Sequence, residues 1–420
     1  MRRVSRRRAT AVRHVQRTLP ATAWEGVTDP RAKRGVLHKW SALLQCLMVG
    51  LVTRRATLRD VEELVHTMPS KLLRRLGIQR RPSDTTLYRV IGSLHPEQLM
   101  GVLVAQVRQM WRDRQLEPRA ETPLHLVSID GKVIAKNAEG THPEVQMHRN
   151  RKGGPKSYSL LALRAVHVAS EVKPAMLQLV VKAGTGESTW FTKFVHALRN
   201  AYGGLVECVI FDAGFSGTGN RFDLGVLGID YIAAIKGNCG TIYHRARRLL
   251  GKEDVDPPGG WTVARAGFRN GKREVRKFAR VKENGFLNGE SHRQFWRVQK
   301  LVYGPEGLIS TEDRYFATSL QPERLTDEQC LACVRAHWGI ENDHNWTLDT
   351  QWLEDTTAWA WKGRALEVLG VLRMLAYNIV RLLRHRVLRS DSEHLMPYRT
   401  LFTLIRDALV QREVPDMATV

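Results

Sequence analysis

Two aspartates in this chain stand where a divalent cation could be held. Asp130 closes the apolar run Leu126-Val127-Ser128-Ile129, which predicts a buried strand, and Gly131-Lys132 follow it. Asp212 closes a second such run, Val209-Ile210-Phe211, ahead of Ala213-Gly214. Open α/β sheets place their ligand sites beyond the carboxyl ends of strands, so neighbouring strands would bring both acids to one edge. Taken singly, each Asp is an ordinary strand-end turn residue. Two carboxylates left alone there repel each other. A divalent cation removes the conflict, and hard oxygen donors suit Mg²⁺ or Mn²⁺.

Two such ions need a third acid. Glu341 stands in His337-Trp338-Gly339-Ile340-Glu341-Asn342, inside a helical stretch, and Asp343, Asp349, Glu354 and Asp355 compete for the role. Helical spacing puts Glu341, Asn345, Leu348 and Trp352 on one face, with His337 and Val334 one and two turns earlier. His337 there can meet a phosphate oxygen, or it can be a satisfied core histidine beside Trp338.

Basic residues gather at several places. Arg149, Arg151, Lys152 and Lys156 flank Gly153-Gly154-Pro155, a Gly-rich loop suited to phosphate contact or else a solvated hairpin tip. Arg80, Arg81 and Arg89 lie among short predicted helices of the kind that read DNA. Cys330, Cys333, His337 and His344 have a zinc-like spacing. The first three follow one helix with no loop to fold them around a tetrahedral ion, so zinc is disfavoured.

The whole chain is strongly basic. Its 420 residues carry 65 Lys+Arg against 42 Asp+Glu, a net charge of +23. Such a charge points to a polyanionic partner, nucleic acid before an anionic membrane surface. Its longest apolar run, Trp40 to Val52, is too short to span a bilayer. The N-terminal arginines lead into no apolar segment, so no secretory signal is predicted. Five cysteines form no disulfide framework and suit a reducing, cytoplasmic setting.

The predicted elements divide the chain. A basic arm spans residues 1–35, and short helices fill 36–116, with Thr57 and Asp60 placed as a capping box. After a polar linker, residues 122–254 order as three strands, helix, strand, helix, strand, an α/β layered sheet. Glycine-punctuated short strands over 255–320 predict an antiparallel β insertion. Long helices over Glu328–Trp352 and Arg364–Leu388 fill 321–390, and 391–420 is a tail.

On these motifs the chain resembles the bacterial insertion-sequence transposases that carry an Asp-Asp-Glu triad on an RNase-H-like fold. The matching pieces are Ile129-Asp130-Gly131-Lys132, Asp212-Ala213, Ala234-Ile235-Lys236-Gly237-Asn238 and His337-Trp338-Gly339-Ile340-Glu341-Asn342. Pro82-Ser83-Asp84-Thr85-Thr86 resembles the helical domain that precedes the core in that family, and Arg314-Tyr315-Phe316 the strand before its last helices. The chain departs from the pattern at Gly214-Phe215-Ser216-Gly217, at Cys239, and at Asn345 before Trp346.

The resemblance implies an RNase-H-like α/β core with a β-rich insertion and helical ends. It implies that Asp130, Asp212 and Glu341 bind two ions, with His337 beside them. The partner would be double-stranded DNA, both element ends and target, held by a homodimer in the cytoplasm at the nucleoid and not at a membrane. Lys132 and Lys236 join the basic residues above as DNA contacts. Trp296 in the insertion is a candidate for stacking on an extruded base, with core packing as the alternative. A nuclease that cuts without joining, and a DNA-binding descendant with a dead site, are the competing readings.

Overall fold

The computed structural model describes residues 9–11, 13–14, 17–18, 24–34, 36–148, 154–287, 290–388 and 396–410. From Trp40 the helical region runs as α1 (Trp40–Val52), α2 (Leu58–Thr67), α3 (Ser70–Arg75), α4 (Asp84–Ser93) and α5 (Pro96–Arg112). The start of α2 is fixed by the expected reciprocal cap. Asp60 N–H donates to Thr57 Oγ1 (3.1 Å) and Thr57 N–H to the Asp60 carboxylate (2.9 Å). Ser83 caps α4 one way only, its hydroxyl accepting from Thr86 N–H. α1 is buried nearly all round, which explains an apolar run too short for a membrane. Among the described residues no helix is long and apolar enough to cross one.

The sheet follows as β1 (Leu126–Lys136), β2 (Gln146–His148), β3 (Ser157–His167), β4 (Ala175–Val180), β5 (Cys208–Phe211) and β6 (Asp230–Ile235). Helices α6 (Glu187–Tyr202) and α7 (Thr218–Val226) connect β4 to β5 and β5 to β6. β3 runs antiparallel to β1, whereas β5 and β6 run parallel to it, in the order β3-β1-β5-β6. This is the RNase-H-like arrangement. Helix α8 (Thr241–Leu250) then leads to β7 (Val263–Arg269), β8 (Lys272–Leu287), β9 (Glu290–Gly304) and β10 (Gly307–Thr318).

The β insertion is antiparallel as expected, but its strands are longer than the glycine spacing implied. It also continues the core sheet, because β10 pairs antiparallel with β6 from Tyr315↔Ile235 to Thr318↔Ile232. Trp296, the stacking candidate, is fully buried. Its ring meets Phe278 edge-on at 5.7 Å, and its indole N–H donates to Gln294. It is a core residue and cannot receive a base.

Both predicted long helices are interrupted. α9 (Asp327–Gly339) gives way to a π-helical turn at Ile340–Asn345 before α10 (Trp346–Gln351). α11 (Ala365–Leu382) ends in a second π turn, Leu383–Val387. Single π turns inside helices often mark functional positions. The stretch taken as a tail holds α12 (Tyr398–Val410), whose Leu401, Phe402, Ile405 and Leu409 join α1–α5 and α11 in one apolar core.

Candidate active site

Asp130 does not end its strand. β1 continues to Lys136, but its parallel pairing with β5 stops at Ile129↔Phe211. Asp130 and Asp212 are therefore the next residue on each of two adjacent strands, at the edge where β5 ends. A Cβ at Gly131 would overlap the Glu187 carboxylate at the start of α6, so the glycine lets that side chain lie against β1.

The π turn lies against this edge. Asn345 Nδ2 donates to Asp130 Oδ2 (3.3 Å), which ties the turn to β1. Glu341 is exposed on that turn. Burial pushes the Asp130 carboxyl up to about 7; Glu341 and Asp212 raise it further, while His337 and the Gly131 N–H pull it down. The three acids thus share one electrostatic field.

His337, in the last turn of α9, links the two strands. The tautomer protonated at Nε2 satisfies both of its neighbours: Ser128 O–H donates to Nδ1 (2.7 Å) and Nε2–H donates to Asp212 Oδ1 (3.4 Å). The hydrogen bond from His337 holds the Asp212 carboxyl below the usual range, and Lys236 and Arg314 add to the effect. Lys236 and Arg314 also line a cavity of about 50 Å³ with Asp212, Tyr243, His337 and Trp338.

The rivals of Glu341 are all engaged. Asp343 pairs with Lys173, Asp349 with Lys132, Glu354 with Arg164 and Asp355 with Lys136. Among the described residues Glu341 has no ion pair. These four bridges join the segment after α9 to β1, β3 and the turn before β4. The Arg164–Glu354 pair is fully buried, with contacts of 2.7 and 2.8 Å, and Gln178 fills the remaining guanidinium sites. Because Arg164 is the register partner of Asp130 on β3, this pair lies directly beside the acid.

The predicted DNA contacts are scattered. Lys236 is exposed beside Asp212, whereas Lys132 is buried against Asp349. Lys156 is exposed, and Arg149, Arg151 and Lys152 lie outside the described residues. Arg80 and Arg89 are exposed in the helical region, and Arg81 donates to the Val65 and Met68 carbonyls near the end of α2. Cys330 and Cys333 are buried in the apolar core, which pushes the Cys333 thiol up to about 12.

Sequence reasoning missed Ser128 and Asn345. Ser128 was within reach, since strand alternation puts it on the same face as Asp130, two residues on. Asn345 was legible as a neighbour of Glu341 on one helical face, but its bond to Asp130 depends on packing against β1.

No three His, Cys, Asp or Glu side chains among the described residues are gathered tightly enough to hold a metal as they stand. The donor chemistry fits a hard cation all the same. The cluster is all oxygen, and its buried member is held up by burial and by two neighbouring carboxylates that only positive charge would relieve.

Comparison with known proteins places the chain in a family. The family model described as Transposase DDE domain matches residues 125–379, and the DDE_Tnp_1-associated model matches residues 22–106. YbfL of Escherichia coli (strain K12) is 20% identical over 369 residues, covering 84% of this chain and 88% of that protein. A provisionally named transposase of Escherichia coli O157:H7, YncI, is 20% identical over 366 residues, covering 84% and 85%. A solved piggyBac transposase synaptic complex with hairpin DNA aligns at 12% identity with a TM-score of 0.44, covering 95% of this chain and 77% of that one. The chain belongs to the DDE transposase family.

Proposed function

We propose that this transposase cuts the ends of an insertion sequence and joins them to target DNA by two-metal phosphoryl transfer. The observation that carries the reading is the acid edge itself: Asp130 and Asp212 on adjacent strands, with Glu341 unpaired while its four neighbours are bridged. Asp130, Asp212 and Glu341 would hold two divalent ions, Mg²⁺ or Mn²⁺, which supply Lewis-acid stabilisation of the attacking and departing oxygens.

The chain's own groups do the positioning. His337 orients Asp212 and is itself fixed by Ser128. Asn345 orients Asp130. Lys236 and Arg314 face the cavity beside Asp212 and suit the non-bridging oxygens of a phosphate. No side chain is needed as a nucleophile, so DNA is never bonded to the protein. Two copies of the chain would hold the two ends together.

The test is incubation of the full chain with duplexes carrying its gene's flanking ends and a target plasmid, with Mg²⁺ or with EDTA. The expected result is Mg²⁺-dependent cleavage to a free 3′-hydroxyl, a joined product, and no protein–DNA adduct. Cleavage without joining would make the chain a nuclease only. Binding with no cleavage of any end would make it a binding-only descendant.

A further inference from the structure

The insertion sheet sets like charges opposite one another. Arg265 on β7 is the register partner of Arg276 on β8, which in turn is the partner of Lys300 on β9. Directly opposed residues share a face, so three cations form one row across three strands spaced about 4.8 Å apart. Arg335 on α9 stands beside the row. Partial burial lowers its guanidinium from the usual range, Arg276 and Arg265 lower it further, and Glu274 opposes them. Counter-charge is short: Glu274 serves both Arg276 (2.6 Å) and Lys300 (3.2 Å), and Glu312 at the end of the row pairs with Arg314. Among the described residues Arg265 and Arg335 have no ion pair. Opposed like charges destabilise a sheet, so the row calls for an external anion.

The row also leads to the acid edge. Arg276 and Arg314 approach the Trp338 ring, at 6.0 and 4.8 Å from its centroid. Trp338 follows His337, and both line the cavity beside Asp212. A regular row of cations that begins at a phosphoryl-transfer site suits a regular polyanion better than the irregular charges of an acidic protein surface.

We propose that Arg265, Arg276 and Lys300, with Arg335, form a track for the sugar–phosphate backbone of the DNA that leaves the acid edge. This rests on the reading given under the proposed function. Binding alone tests it, without catalysis. A fluorescently labelled duplex carrying one element end is titrated with the full-length chain in EDTA over a series of KCl concentrations, beside Arg265→Gln/Arg335→Gln. Both replaced side chains are exposed.

The variant is expected to bind more weakly, and its slope of log affinity against log salt should be shallower by about 2, roughly 0.9 per lost phosphate contact. Its melting temperature without DNA should be equal or higher, because repulsion has been removed. An unchanged affinity and slope would overturn the track. So would weaker binding at an unchanged slope with a lower melting temperature, which would mean a structural role. If the parent chain itself fails to bind the duplex, the transposase reading of this site fails, and the track with it. A steep slope in the parent that the variant reproduces removes the track alone.

Discussion

Asp130 and Asp212 each follow a member of the last parallel pair between β1 and β5, Ile129 with Phe211, so sheet register alone sets these two carboxylates side by side. The third acid has no such constraint. Glu341 stands on the π turn that follows α9, and Asn345 anchors that turn to Asp130. The four ion pairs around it hold the segment in place.

Ser128→Ala tests how His337 is held. The hydroxyl is buried and its loss leaves Nδ1 without a donor. Turnover on end DNA should fall by about tenfold, the lower range for removing a group that orients a site residue, while KM for DNA stays within about twofold. Ser128→Thr should recover part of the rate. Equal kinetics for Ser128→Ala and the parent would show that the hydroxyl does not position the imidazole.

Glu354→Ala strands Arg164 as a buried, unpaired charge. Removing one partner of a buried pair costs about 3–5 kcal/mol, far more than the pair itself contributes. Urea unfolding should show that loss. Arg164→Met/Glu354→Leu should recover much of it, since no buried charge remains. A cost under about 1 kcal/mol for the single variant would mean that water reaches the pair in solution.

Acid should draw stability from two buried histidines, partly offset by Asp130, whose raised carboxyl takes up a proton near pH 7 in the folded chain. Burial lowers His167 and His344 to about 3 from an ordinary 6.5, with His125 and Arg164 respectively adding to the shift. The unfolded chain therefore binds protons below about pH 6.5 that the folded chain refuses until about pH 3. The stability from each is complete above 6.5 and is lost as pH falls toward 3, at roughly 1 kcal/mol per pH unit per histidine. Unfolding free energies measured between pH 7.5 and 5 should fall accordingly. His167→Gln/His344→Gln should flatten that slope, and an identical slope would contradict the assignment.

Much of this was legible in the residues. The apolar runs before Asp130 and Asp212, the order of strands and helices in the core, and the caps at Thr57 and Ser83 all express local chemistry. The rest depended on long-range packing. β1 runs past Asp130 because β3 pairs with it as far as Lys136, and no local signal reports a partner strand. The π turn at Ile340–Asn345 leaves a helical pattern in the sequence. Trp296 could stack or pack until Phe278 was found against it. The row Arg265–Arg276–Lys300 exists only once register aligns three strands, since the residues are unremarkable surface cations taken one at a time. α12 was missed because its apolar face looked like part of a short tail.

The central claim is that Glu341, and not one of its bridged neighbours, completes the acid edge. Mn²⁺ binding followed by electron paramagnetic resonance, on the full chain without DNA, tests it most directly. Asp130→Asn, Asp212→Asn and Glu341→Gln should each weaken binding by about tenfold or more, whereas Asp343→Asn and Asp349→Asn should bind like the parent. Parent-like binding by Glu341→Gln, with the loss appearing instead in Asp349→Asn or Asp343→Asn, would contradict the account.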